Sequence, residues 1–478
     1  MVIASFLAFL GLFVVIGLFS LKQNRHTSID YLLAGHNMQP WLVALSAVAT
    51  NNSGYMFIGM IGFTYSTGIS SIWMAIGWVL GDFVASLLIH RPVREMTERH
   101  GVHTYGGLLS HWHDTNYTIL RFIVGTFTLL FLGTYAAAQL SAGSKALHVL
   151  FGWENYIGAV IGTAIVLVYS FAGGIRASIW TDAAQSLVMI ISMSLMLYIT
   201  VDNLGGLSGF VQHLDQVDAN YLALLPPESG YGVLLGGLGF ILGWFFAGYG
   251  VAGQPHIMVR FMTMDKPQDI GRVRLYYYSW FALFYAMTIG VGLAARVLLP
   301  EVENFDAELA LPTLAQQLLP QVLVGMVLAG IFAATISTAD SLILSCSASL
   351  TRDFHQQKSD HYLLTKGGTV VVSLLALAIA LFSDKSVFAL VLDAWGVLGA
   401  GFAPLLTVYA LGRRPSQPLA IAMLLGGVLV FYLWPLLIPG LIYATAPGML
   451  AGIVIYLVGA FLGMNQSLRD DTVEKSPI

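Results

Sequence analysis

The chain has 478 residues, of which 57% are hydrophobic and only 10% charged. Soluble domains carry about 25% charged residues, so the composition excludes a soluble enzyme or a nucleic-acid-binding domain and specifies an all-α polytopic membrane protein. The net charge of −4 decides little, and the single cysteine, Cys346, excludes an intramolecular disulfide scaffold.

Apolar runs predict about 13 transmembrane helices, at 2–21, 40–65, 68–90, 119–149, 154–174, 178–200, 232–256, 274–298, 320–348, 367–383, 387–411, 416–438 and 446–463. The first run lacks a small-residue cleavage site and is long enough to span, so it is expected to be a retained helix, not a signal peptide. Alternating the spans places Lys22, Arg25, Arg91, Arg94, Arg99, Arg260, Lys266, Arg272, Arg274, Arg352, Lys358, Arg413 and Arg414 on one side. Of the 21 Lys and Arg, all but Lys145, Arg296 and Lys385 fall there. The positive-inside rule makes that side cytoplasmic. The N-terminus is then outside, the C-terminus inside, and the expected location is the cell (inner) membrane. Outer loops near 201–231 and 299–319 carry Asp202, Asp215, Asp218, Glu228, Glu301, Glu303, Asp306 and Glu308.

Two spans are interrupted. The second contains "TNNSG" (Thr50 to Gly54), polar groups that lipid cannot satisfy. The seventh contains "FFAGYGVAGQP", whose glycines and Pro255 oppose a continuous helix. The breaks are five spans apart, so the interrupted helices run in opposite directions. That pattern predicts an inverted-repeat transporter, with binding sites at the broken mid-membrane helices. The corresponding division is 1–39 for an extra N-terminal helix and loop, 40–212 and 213–412 for the two repeats, and 413–478 for C-terminal helices and tail.

In the ninth span, "GIFAATISTADSLILS", the residues Ala334, Ser337, Thr338 and Ser341 share one helical face. Two hydroxyls with backbone carbonyls suit a hard monovalent cation. Unpaired carbonyls around Ala49 and Asn52 complete a five-oxygen cage. Ser and Thr in membrane helices also bond the carbonyl one turn back, which is the plainer use of such residues. Asp82, Asp182 and Asp340 lie at depth, and Asp393 nearer an outer end; intramembrane acids default to functional roles. Asp182, Asp340 and Ser341 form a possible second cation or proton site. Asp82 has no partner evident in sequence, and a packing hydrogen bond is expected for it.

The stretches "ALSAVATNNSGYMFIG", "SIWTDAAQSLVM", "GQPHIMVRFM" and "AATISTADSLILSCSASLTRDF" together resemble the sodium/solute symporter family, in particular its sodium/proline members, colinearly from Asp30 to Leu411. The resemblance implies a leucine-transporter-like 5+5 inverted-repeat core and sodium-coupled uptake of a small organic solute, proline or another small amino acid, by alternating access. It implies sodium as coupling ion, at the carbonyls of Ala49, Asn52 and Ala334 and the hydroxyls of Ser337 and Thr338, with no other cofactor. It also implies Ser53, Gly54 and Tyr135 at the substrate, with Gln254, Pro255 and His256 closing the seventh break, and Asp182 as a second-sodium ligand. Two departures stand out. The proline members have Asp where this chain has Asn51, whereas sugar-transporting members have Asn. The proline members also have Trp and Tyr where Ala247 and Val251 stand here; Trp244 and Tyr249 lie nearby. The substrate set is therefore Asn51, Ser53, Gly54, Tyr135, Trp244, Tyr249, Val251, Gln254 and Pro255, with a carboxylate, sugar or vitamin, or proton coupling, as the alternative.

Other signals carry less. "GYGVAG" fits a dinucleotide-binding pattern but lies in an apolar span without βαβ context. His100, His103, His111 and His113 sit in a basic loop and read as solvated, not metal-binding. The sequons at Asn51 and Asn116 lie in the membrane and in a cytoplasmic loop. Lys145 is expected to reach the outer headgroups, and "RDDTVEKSPI" reads as a polar tail. Against a sensor stands the absence of an output domain after the last span. Against an enzyme, no nucleophilic serine is paired by spacing with His256. A channel usually lacks two paired broken helices. The loop from Arg260 to Tyr278 is the expected inner gate. The partners expected are a small solute, sodium and the bilayer, with no nucleic acid; the sequence does not give the oligomeric state.

Overall fold

The computed structural model describes residues 1–23, 25–218, 220–225, 231–299, 305–354, 362–382 and 387–465. Glu228, Glu301, Glu303, Lys358, Lys385 and the tail beyond 465 lie outside them. Among the described residues the chain is helical, with two isolated backbone bridges, Met38–Met264 and Pro415–Asn465.

Helix α1 is Val2–Phe19. Then come α2 (Pro40–Gly54), a π turn at Tyr55–Gly59, α3 (Met60–Thr67) and α4 (Ser71–His100). Helices α5 (Thr118–Phe127) and α6 (Gly133–Phe151) join through a second π turn, and α7 (Asn155–Asn203) contains a sharp reversal. Helices α8 (Val233–Tyr249) and α9 (Pro255–Met262) flank a tight turn at Gly250–Gly253. Further along come α10 (Ile270–Leu298), α11 (Gln321–Ala348), α12 (Tyr362–Phe382), α13 (Val387–Ala410), α14 (Gln417–Leu437) and α15 (Thr445–Phe461), with short helices at Ser28–Leu33, Tyr105–His111, Gly206–Leu214 and Ala310–Leu318 in the connections.

Ten helical runs are long and apolar enough to cross a membrane. A crossing needs about 20 residues, so the runs Pro40–His100, of 61 residues, and Tyr156–Asn203, of 48, must each turn back. They turn at glycines in backbone conformations that a side chain resists: Gly68 at φ 75, ψ −150 and Gly174 at φ 57, ψ −144. A Cβ on Gly68 would lie 2.1 Å from the Tyr221 carbonyl oxygen. Tyr169 and Thr181, on either side of Gly174, both abut Gly17 of α1, so the two arms of α7 return past each other. These two reversals and the short apolar α15 turn ten runs into thirteen crossings among the described residues.

Both expected breaks are present. In α2 the ladder is interrupted at Ser53, φ 49, ψ −177, a non-glycine residue with positive φ. Such a conformation costs about 1–3 kcal/mol and persists only where neighbours impose it. Here Ser53 Oγ accepts from the Tyr55 N–H at 3.1 Å, and the Gly54 N–H donates to Gln139 Oε1 at 2.8 Å. Between α8 and α9 the chain passes through the Gly250–Gly253 turn and an extended Gln254 (φ −99, ψ 99), after which Pro255 opens α9 at a position where its missing N–H is harmless. Around these breaks sits α11, whose residues from Val327 to Ala348 are all buried.

Candidate functional site

A regular helix would pair the Gly54 N–H with the Thr50 carbonyl. Because that N–H turns to Gln139, the Thr50 carbonyl is released, and Thr338 Oγ1 of α11 donates to it at 3.0 Å. Thr50 Oγ1 and Ser341 Oγ are 3.0 Å apart. The break in α2 and the hydroxyl face of α11 are therefore one site. Of the five expected cation ligands, Thr338 meets Thr50 in place of its neighbour Ala49. Ser337 Oγ donates to the Ala334 carbonyl at 3.1 Å, and the Asn52 carbonyl accepts from Tyr55. Gly54 is required for the close approach: a Cβ there would lie 2.5 Å from Thr335 Cγ2.

Beside this junction, Tyr135 OH donates to Ser53 Oγ at 3.3 Å, and the Tyr135 ring meets the His256 ring edge to face at 5.6 Å. His256 in turn faces Trp395 of α13 at 6.5 Å. Gln254 Nε2 donates to the Trp395 carbonyl at 2.9 Å, and Trp395 Nε1 to the Ala247 carbonyl at 2.7 Å, tying the broken helix to α13. Several buried polar atoms here have no partner: Gln139 Nε2, Gln254 Oε1 and both ring nitrogens of His256. Buried polar groups are as a rule hydrogen-bonded, so these atoms have hydrogen-bonding capacity that the protein itself does not use. On one side Trp78 stacks among Tyr55, Trp244 and Trp395 at centroid distances of 5.8, 5.8 and 4.9 Å, and Trp244 stacks on Tyr443 at 5.3 Å.

Residues 31–427 match the model of the sodium:solute symporter family. The chain belongs to that family. It is a transporter and not an enzyme, and it is similar over 97% of its length to sodium/proline symporters of Staphylococcus aureus strains JH9 and NCTC 8325, at 29% identity and 94% coverage of those proteins. Its fold is shared with a Na+-coupled sialic acid symporter in a substrate-bound outward-open state, at TM-score 0.82 and 18% identity over 98% of this chain and 99% of that one. It is shared more loosely with Mhp1, a nucleobase-cation-symport-1 transporter in a closed conformation with bromovinylhydantoin bound, at TM-score 0.60 and 17% identity over 90% and 94%. The transporter therefore has the leucine-transporter-like architecture that the family resemblance implied.

Not every expected residue of the transporter joins the site. Tyr249 turns to Thr407 of α13 at 2.8 Å, and Trp244 belongs to the aromatic stack. Val251 is buried within the tight turn and Pro255 starts α9. Asn51 is engaged by other residues, donating to Asp82 Oδ2 at 3.0 Å and to Tyr277 OH at 2.5 Å. Sequence reasoning missed Gln139 and Trp395. The polar Gln139 within "YAAAQLSAG" was a visible signal for the first; Trp395 reads as ordinary packing.

The acidic pair contains a surprise in charge. Arg260, expected in a gate loop, is carried on α9 and is fully buried. Its Nη2 lies 3.4 Å from Asp182 Oδ2 and donates to Ser178 Oγ at 2.6 Å and to Ser341 Oγ, while Nε donates to Ser46 Oγ at 3.3 Å. Ser46 Oγ also donates to Asp182 Oδ2 at 2.6 Å, and Ser170 donates to Asp340. A guanidinium thus stands among Asp182, Asp340 and Ser341, the residues read from the sequence as a possible second cation or proton site. The segment after α9 is held instead by Arg94 of α4, which donates to the carbonyls of Met264 and, at 3.1 Å, Asp265.

Lys145 does not reach out to headgroups. Its ammonium pairs with Glu308 at 2.5 Å and Asp306 at 3.5 Å, because two carboxylates lie within the side chain's reach. Asp393 borders a hollow shared with Tyr432 and Tyr443. His113 Nε2 bonds the Arg413 carbonyl at 2.7 Å, and no group of three or more His, Cys, Asp or Glu able to hold a metal occurs among the described residues.

Proposed function

We propose that the chain is a sodium-coupled symporter that takes up a small organic solute, proline or another small amino acid, by alternating access. The observation that carries this reading is the released Thr50 carbonyl facing Thr338, in a chain belonging to the sodium:solute symporter family. Sodium binds between α2 and α11, on the carbonyls of Ala49, Asn52 and Ala334 and the hydroxyls of Ser337 and Thr338. Substrate docks between Ser53, Gly54, Tyr135 and the break at Gln254, where Gln139 and His256 offer unused hydrogen-bonding capacity. The aromatic stack around Trp78 closes one side, and the clamp of Arg94 on the segment after α9 closes the other.

Repeats at 40–212 and 213–412 move against each other. The basic face lies in the cytoplasm of a cell whose inner membrane holds the protein, with the N-terminus outside. The membrane potential contributes about 2.3 kcal/mol per charge per 100 mV, enough to concentrate a solute tens of fold.

The test is uptake of radiolabelled proline into proteoliposomes, with and without an inward sodium gradient. Sodium-driven uptake, lost in Ser337→Ala and Thr338→Ala, is the expected result. Uptake that ignores sodium overturns the coupling; sodium-dependent stabilisation without proline uptake overturns proline and directs the work to a panel of other solutes.

A further inference from the structure

Most buried acids of the described residues have a basic partner. Asp30, Asp182, Glu308 and Asp353 lie within ion-pair distance of Arg176, Arg260, Lys145 and Arg121 respectively. Asp340 lies in the Arg260 cluster. Asp82, midway along α4 and fully buried, is different. Its three hydrogen-bond partners are neutral: Tyr278 OH donates to Oδ1 at 2.8 Å, Tyr277 OH to Oδ2 at 2.8 Å, and Asn51 Nδ2 to Oδ2 at 3.0 Å.

The other titratable groups near it make no bond to it. On α10, Arg274 donates to the Ser86 carbonyl at 2.6 Å, one turn along α4, and the Tyr285 ring packs on Phe281 at 5.1 Å. On α4 itself, His90 stacks on Phe261 of α9 at 3.7 Å. On α8, Tyr249 is taken by Thr407. A carboxylate in such surroundings lacks the counter-charge that makes burial tolerable. Asn51 meanwhile donates through Nδ2 to both Asp82 and Tyr277, and its carbonyl oxygen Oδ1 is buried without a donor.

We propose that Asp82 is a proton-binding site and that Asn51 conveys its occupancy to the break in α2. When Asp82 is charged, the Asn51 amide turns its N–H groups to the carboxylate and the Tyr277 oxygen. When a proton binds Oδ2, a half-turn of the amide lets the new O–H donate to Asn51 Oδ1, the acceptor that otherwise has no donor. One proton is taken up and no covalent bond in the protein breaks. The same half-turn exchanges an acceptor for a donor on the far side of the amide, next to Asn52 in the chain. Loss of the negative charge also weakens the attraction for a cation at the break. Protons therefore oppose sodium at this site. The inference rests on the reading of the α2 break as the sodium site.

The test measures thermal stabilisation of the full chain by sodium chloride, against choline chloride, across pH. Infrared difference spectra of the protonated-carboxyl band are recorded in parallel on adding sodium at acidic pH. In the wild type the sodium concentration for half-maximal stabilisation is expected to rise several-fold on acidification. A carboxyl band should be lost on sodium addition. Asp82→Asn should show the weaker affinity at every pH and lack the band, while Asp82→Glu should keep a displaced profile. An Asp82→Asn variant that keeps the wild-type pH dependence, or the band, overturns the proposal. If Asp82→Asn does not fold, Tyr277→Phe replaces it, and an unmoved pH profile there overturns the proposal equally. Absence of sodium stabilisation at any pH overturns the sodium reading first. The carboxyl band, followed then by pH titration without sodium, decides Asp82 by itself: its presence in the wild type and absence in Asp82→Asn supports the proton site, and its absence in both overturns it.

Discussion

The hydroxyl of Thr338, in α11, donates to the main-chain carbonyl of Thr50, in α2, at 3.0 Å across 288 residues of sequence. The bond exists because the Gly54 N–H, that carbonyl's helical partner, is engaged by Gln139.

Removing this hydroxyl leaves a buried carbonyl without its donor, at about 1–3 kcal/mol. Thr338→Ala is expected to raise the sodium concentration for half-maximal stabilisation about ten- to hundredfold, and Thr338→Ser to restore most of the affinity. Calorimetric or fluorimetric melting at graded sodium concentrations checks both.

Gly54→Ala places a methyl group 2.5 Å from Thr335 Cγ2. Overpacking of this kind costs about 1–3 kcal/mol, so a lower melting temperature is expected. Thr335→Ser removes the colliding methyl and should recover part of the loss in the double variant. No recovery would mean that the strain lies with Gln139 or Ala142, which also crowd that position.

Arg260 and Asp182 are both fully buried. Breaking such a pair costs about 3–5 kcal/mol, whereas replacing both charges is often tolerated. Arg260→Met alone should therefore depress stability more than the pair Arg260→Met with Asp182→Asn. Equal melting temperatures for the two would show that the pair does not hold the core together.

Arg94 clamps the carbonyls of Met264 and Asp265. Cys346, the single cysteine, is buried, so a thiol reagent will report on an added cysteine. Met264→Cys is expected to label slowly, and about ten times faster or more once Arg94→Gln removes charge-assisted bonds worth about 1.5–3 kcal/mol each. Labelling at the same rate in both would move the closure elsewhere.

The sequence revealed what depends on nearby residues. Apolar runs of the right length marked the crossings, and "TNNSG" and "GYGVAGQP" marked both breaks, because a polar or glycine-rich interruption of a membrane helix is a local fact. It did not reveal relationships fixed by distant packing. Asp82 and Tyr277 are 195 residues apart, and Arg260 and Asp182 are 78 apart. Arg260 read as a loop cation because it follows an apolar stretch, and only the turn at Gly250–Gly253 brings it inside. The roles of individual site residues rest on the same long-range geometry.

From Val327 to Ala348, α11 has no side open to lipid, whereas α1 presents Ile3, Leu7, Leu12, Val15 and Leu18 outward. A change in bilayer thickness acts on surfaces that meet acyl chains. It therefore reaches Ser337 and Thr338 only through the outer helices, as a load passed inward to an axle that the membrane never touches.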